Sequence, residues 1–316
     1  MGQILHSGGL DRSAEMTVQE RVGRLKGATR EVKSIIEDFQ MQAIGGMMAA
    51  WELWERAMVP SLLSGAGTWF GLNKSTKAID MCDDIQNYFW RVMLSVPESC
   101  PKIALRCETG MIGMKWRIWE AKLMLLKRIK MQNMDTLSRQ VYEESKKKGW
   151  PGLGEEVTQI CNNICIPDLN SNVVSKEEIK DAIWNHHYFD IKEELSKSKK
   201  LSDIKDEDFT KVQSYFDGKS VESTRMAFRV RSHMVPEIPG NFKNKYKNKE
   251  GGLACSYCEE EVEMDQSHCL KCEAWTELRR DLDLSNIDDL VMFFRNMLKE
   301  MASMEEDKRK HCTTPQ

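Results

Sequence analysis

The sequence predicts a mainly α protein: a helical bundle, then a small Cys/Cys/His/Cys finger and a closing helix. Three observations carry this. From Ser13 to the Lys146, Lys147, Lys148 run, apolar residues recur at spacings of three and four, which places them on one stripe of a helix. No stretch alternates apolar and polar residues long enough to build a sheet of any size. Only 8 Pro and 19 Gly punctuate 316 residues, too few for collagen-like or low-complexity architectures.

The first stripe takes in Ile35 and Phe39, then Met47, Trp51, Trp54 and Met58, and Pro60 with the Gly65 and Gly67 pair is expected to stop it. A second helix is expected from Ser75 to Val96, with Ile79, Ile85, Phe89, Val92 and Val96 inward and Pro97 and Pro101 ending it. A third covers Met114 to Met131. Seven of the nine tryptophans lie at or before Trp150, so this half is expected to hold the largest buried aromatic mass. After Gly149, Trp150, Pro151 and Gly152 the composition turns to alternating charge, as from Glu193 to Phe209. Short surface helices are expected there, one of them opened by a capping box of Ser175 and Glu178. The chain thus divides into a helical part (1–148), a charged connector with short helices and a basic segment (149–250), and a finger with an acidic C-terminal helix (251–316).

The most apolar stretch, Ala43 to Leu63, is interrupted by Glu52, Glu55, Arg56 and Pro60, short of the roughly 20 apolar residues a bilayer span needs. The N-terminus has neither a basic start nor an apolar core, so no secretory signal is expected. Ten cysteines without such a signal point to a reducing, intracellular setting, nucleus or cytoplasm, where thiols stay free or take metal. Cys82, Cys100 and Cys107 sit among apolar residues and read as small core side chains.

The sharpest chemical signal is Cys255-x-x-Cys258, nine residues, then His268-x-x-x-Cys272. Two thiolates from a tight turn and a His/Cys pair one helical turn apart can converge on one tetrahedral Zn²⁺. Four protein ligands leave no open position, so the metal is expected to be structural. Cys269 competes as a ligand, but Cys272 has the better helical offset from His268. Other patterns fall away. Asp83 and Asp84 lie inside a helical pattern, where a solvated face is expected rather than a metal-binding hairpin. The Gly65 to Gly71 stretch lacks the phosphate-loop Lys. Cys161, Cys165, His186 and His187 are read as core or surface residues.

Charge is uneven. Residues 1–150 hold 22 Lys and Arg against 17 Asp and Glu, residues 151–250 hold 16 against 17, and residues 251–316 hold 8 against 15. The basic half therefore suits a polyanion better than the net charge of −3 suggests. Lys115, Arg117, Lys122 and Arg128 cluster around Trp116 and Trp119, while Arg229, Arg231, Lys243 and Lys245 flank Phe228, Phe242 and Tyr246. Such mixtures offer phosphate contacts beside aromatic rings, as binders of single strands or of RNA·DNA duplexes do.

ILHSGGLDRS (Ile4 to Ser13), LWERAMVPSLLSGAGTW (Leu53 to Trp69), ALRCETGMIGMKWRI (Ala104 to Ile118) and AFRVRSHMVPEIPGNFKNKY (Ala227 to Tyr246), followed by the finger spacing, occur in an order that resembles the downstream part of a LINE-type, non-LTR retrotransposon reverse transcriptase. The resemblance runs nearly end to end. It implies a helical thumb that grips a template RNA and primer DNA duplex and ends in a zinc finger, with Arg117, Lys122 and Arg128 on phosphates and Arg229 and Arg231 as further contacts. The fingers, the palm and the aspartates that hold catalytic Mg²⁺ would lie upstream of Met1. By this resemblance the chain is a piece of an RNA-directed DNA polymerase with no catalytic residues of its own. The alternative is a stand-alone or domesticated zinc-containing adaptor, whose Trp-rich helices bind a protein partner.

Overall fold

The protein is described from a computed structural model that covers residues 10–38, 45–69, 77–150, 152–167, 169, 174–198, 201, 204, 208–242, 253–258 and 262–312. Among these residues helices account for nearly all regular structure, and the only β pairing is an isolated antiparallel bridge between Ala254 and Glu263. No helix among them is long and apolar enough to cross a membrane. Phe39, Ser75, Lys243, Lys245, Tyr246, Lys247 and Lys249 lie outside the described residues.

Helix α1 (Leu10–Asp38) packs along α4 (Lys77–Leu94). Its inward stripe is Ala14, Val18, Arg21, Leu25, Thr29, Val32 and Ile36, at spacings of three and four throughout. Ile35, expected inward, is 52% exposed, and Ile36 takes the core position. Two polar members of the stripe are satisfied within the fold. Thr29 donates to the Leu25 carbonyl at 2.7 Å, and Arg21 donates to the Leu62 and Ser64 carbonyls.

Those carbonyls end the next helical run. Helix α2 (Gly46–Leu53) passes through a π turn (Trp54–Met58) into α3 (Val59–Leu63). Pro60 does not stop the helix, contrary to expectation. Proline lacks an N–H and crowds the carbonyl four residues back, and the widened turn immediately before it gives that carbonyl room. The chain leaves the helix only after Leu63, where Gly65 takes φ +73° and Arg21 caps the Leu62 and Ser64 carbonyls. Trp54 is fully buried against Phe89, with ring centroids 4.8 Å apart, and Trp51 donates its indole N–H to the Thr109 carbonyl. Both tryptophans therefore pack inside this chain.

Helix α4 carries Asp83 and Asp84 as a helix face, and the two differ. Asp84 is exposed and pairs with Lys102 at 2.7 Å. Asp83 turns inward, accepts the Met114 N–H at 2.9 Å and pairs with Arg106. It thereby fixes the start of α6 (Met114–Lys130), which follows α5 (Lys102–Thr109). Gly67 allows the preceding loop to lie on α6, because a Cβ there would stand 2.9 Å from the Ala121 carbonyl oxygen.

Helices α7 (Leu137–Lys147), α8 (Leu153–Asn163) and α9 (Lys176–Ser196) follow. The α9 capping box forms as the sequence predicts, with Glu178 N–H donating to Ser175 Oγ at 3.0 Å. The expectation of short surface helices fails for α9, which is 21 residues long and buries Ile179, Ile183, His187, Ile191 and Leu195. A stripe one residue wide, repeated every fourth position, is easily lost among the charges on the other faces.

Burial pushes the His187 imidazole down to about 4, the nearby Arg106 and Arg117 act in the same direction, and a hydrogen bond with the Met111 backbone opposes them. The folded protein binds this proton less readily than the unfolded chain, so stability is full above pH ~6.5 and falls as pH drops toward the folded value, by roughly 3 kcal/mol in all. Urea unfolding at pH 7 and 4.5 checks this. His187→Leu is expected to lose less stability than wild type over that interval, and an equal loss would refute the assignment.

Helix α10 (Val221–Arg231), the short α11 (Gln266–Cys269) and α12 (Thr276–Arg279), and the long α13 (Ile287–Cys312) complete the chain. The larger buried cluster runs from Ala14 on α1 through Phe89 and Phe228 to Cys272, Trp275 and Phe293. Residues from all three sequence segments contribute to it. A smaller cluster joins α6, α8 and α9 around Trp116, Trp119 and Ile183.

Candidate metal centre and basic surfaces

The backbone brings the finger residues together in two steps. Cys255 N–H donates to the Val262 carbonyl and Met264 N–H to the Leu253 carbonyl, at 2.8 and 2.7 Å. These two bonds close a minimal hairpin that carries Cys255 and Cys258. Asp265 then caps α11 by accepting the His268 N–H at 2.8 Å, and Cys272 N–H donates to the His268 carbonyl at 2.7 Å, so the helical turn sets the His268 to Cys272 offset.

The four ligand atoms of Cys255, Cys258, His268 and Cys272 all lie within 4.8 Å of one another. The Cys255 and Cys272 sulfurs are 3.9 Å apart, and the Cys258 sulfur is 3.4 Å from His268 Nε2. A tetrahedral ion with bonds of about 2.3 Å to sulfur and about 2.05 Å to nitrogen would set these edges near ~3.8 and ~3.5 Å. The donors therefore fit a four-coordinate metal ion. Cys269 is fully buried in the core and takes no place in the set; burial pushes its thiol up to about 12. Among the described residues this is the one such cluster. Cys161 and His187 are buried and Cys165 is exposed without converging on a second one.

The centre is seated against the rest of the protein. Gln266, itself buried, donates to the Val230 carbonyl at the end of α10. Gly240 N–H donates to the Met264 carbonyl, and a Cβ on Gly240 would stand 2.8 Å from both that oxygen and Asp265 Cβ. Trp275 is fully buried beside Tyr257 from the cysteine turn, with ring centroids 5.1 Å apart.

The cationic residues singled out by sequence separate into four groups. Lys122 is 1% exposed, donating to the Trp69 carbonyl and pairing with Glu156 of α8; a phosphate could reach it only by breaking that pair. Arg117 pairs with Glu55, Arg231 pairs with Glu108, and Arg229 donates to the Ser95 carbonyl. Lys115 lies over Trp116 and Trp119, 4.4 and 4.6 Å from the ring centroids. Arg128 faces solvent.

Around Arg128 the structure adds residues that the sequence reading missed. An open cleft between the end of α6 and the start of α9 is lined by Lys127, Arg128, Lys176 and Lys180, with Glu120 as its one carboxylate, Gln132, and Met124 and Met131 as its apolar part. Lys176 and Lys180 sit in a segment of mixed charge, so only the packing of α9 on α6 reveals them as one patch with Arg128. A charge count confined to neighbouring sequence could not have found it. No protein-family model, curated protein or solved structure matches the chain.

Proposed function

We propose that the chain is a nucleic-acid-binding unit built around a structural zinc ion, the template-primer-gripping part of a LINE-type reverse transcriptase. What carries this reading is the way the resembling sequence blocks hold one another. Glu55 of the second block pairs with Arg117 of the third, Glu108 of the third pairs with Arg231 of the fourth, and Gly240 of the fourth bonds to Met264 beside the finger. Blocks recognisable in sequence thus form one connected framework, which suits a fold kept together as a unit. Zinc follows from the donor chemistry, since three thiolates and an imidazole at tetrahedral edges favour a soft, four-coordinate ion over hard cations.

Within that framework Arg117, Lys122 and Arg231 serve internal pairs. Lys127 donates to the Val174 carbonyl, so phosphate contact then falls chiefly to Arg128, Lys176 and Lys180 at the cleft. Filter binding of an RNA·DNA hybrid tests this: three phosphate contacts imply an affinity loss of about 40-fold between 50 and 200 mM salt. Reversing Arg128, Lys176 and Lys180 to Glu is expected to weaken binding at least tenfold and flatten the salt dependence. Affinity indifferent to salt would sink the proposal. The adaptor reading draws support from one feature, the exposed Met131, Met134, Leu137 and Val141 on and before α7; it requires that the hybrid not bind at all.

A further inference from the structure

We infer that Trp150 is a stacking platform for a base of single-stranded nucleic acid, fed by Lys146, Lys147 and Lys148. The inference rests on the nucleic-acid reading above and adds to it a strand class and a second contact point. Helix α7 ends in a Schellman motif. Gly149 takes φ +64° and donates its N–H to the Lys146 carbonyl, while Trp150 N–H donates to the Ser145 carbonyl at 3.0 Å. In this motif the residue at the position of Trp150 commonly packs on an apolar residue at the position of Ser145. Serine offers no such surface, and Trp150 remains 60% exposed. Its backbone is nevertheless pinned by the two hydrogen bonds, so a large aromatic ring stands in water on a fixed mount.

The charge beside it exceeds what the helix end requires. A helix C-terminus carries about half a negative charge, and Glu144 pairs with Lys147. Three exposed lysines leave a positive surplus next to the ring. Lys148 Nζ stands 4.7 Å from the Trp150 ring centroid. An aromatic face beside clustered cations is the combination that holds unpaired bases and their phosphates. Bases inside a duplex have both faces covered by neighbours, whereas an unpaired base has a face available for the indole.

Anisotropy titrations of the full chain with labelled oligo(dT), oligo(U) and a blunt RNA·DNA hybrid test the inference. Trp150→Ala is expected to weaken single-strand binding about 5- to 150-fold and to change hybrid binding far less. Trp150→Phe should retain most of the affinity, and neutralising Lys146, Lys147 and Lys148 to Gln should reduce the salt slope by up to about 2. If Trp150→Ala leaves single-strand affinity unchanged while the hybrid still binds, the inference fails and the proposed function stands. If neither probe binds, both fail. Binding of polyglutamate with the same Trp150 dependence, and none of the oligonucleotides, would overturn the inference in favour of an acidic protein partner.

Discussion

Replacing Cys272 with Ser, or stripping the metal with a chelator, is expected to loosen α10 and α13 together with the finger. A structural zinc ion contributes about 10–16 kcal/mol in isolated finger peptides, comparable with the whole stability of an ordinary domain at about 5–15 kcal/mol. An ion bound at this site would not serve an appendage alone. Cys255, Cys272 and Trp275 belong to the same buried cluster as Val230 on α10 and Phe293 and Phe294 on α13, and Gln266 holds the Val230 carbonyl directly. Hydrogen exchange checks the expectation. Protection should fall over Val221–Arg231 and the first half of Ile287–Cys312 as well as over 253–279, and zinc should be detected in the untreated protein by elemental analysis. Loss of protection confined to 253–279 would mean that the finger is an independent module.

The second large effect is expected at Glu108. Its carboxylate is 1% exposed, accepts the Arg231 Nε–H at both oxygens (3.0 and 2.9 Å) and accepts the Tyr215 hydroxyl at 2.7 Å. Glu108→Ala removes one acceptor from a guanidinium and from a phenol, and breaking a buried pair in this way costs about 3–5 kcal/mol. The sign of the pair's own contribution is a separate question. Glu108→Leu combined with Arg231→Met removes both charges, and is expected to recover most of the loss because desolvation of the pair disappears with it. Urea midpoints at unchanged slope measure both. A double variant as unstable as Glu108→Ala would show that the hydrogen-bond geometry itself holds α5 to α10.

Local chemistry made much of this fold legible in sequence. Met114 to Met131 and Ser75 to Val96 carry strong helical periodicity, and the helices end within a few residues of the expected positions. Ser175 and Glu178 act on each other three residues apart, and the four finger ligands span eighteen residues, so nothing distant was needed to recognise either. The cations were another matter. Arg117, Lys122 and Arg231 look like solvated charge until Glu55, Glu156 and Glu108, which lie 62, 34 and 123 residues away, fold against them. The same holds for the α1 stripe: Ile35 and Ile36 are adjacent, and only the packing on α4 decides which is inward. Pro60 departs from expectation because the rule that proline ends helices presumes an ordinary turn before it, and this chain widens that turn.

The placement of Arg225 constrains how the chain comes to be folded as it is made. Its guanidinium donates to the Met93 carbonyl and to Glu37, 132 and 188 residues earlier, and the cluster it borders closes only with Phe293 and Met297. Synthesis proceeds at about 5–20 residues per second, so α1 emerges roughly 13–50 s before the partners that complete its core. For that interval the core that α1, α2 and α4 begin to build lacks the side chains of α13 that complete it. A nascent chain of this design has reason to engage a holding chaperone, and the four candidate metal ligands, Cys255, Cys258, His268 and Cys272, emerge only after most of the core-forming helices.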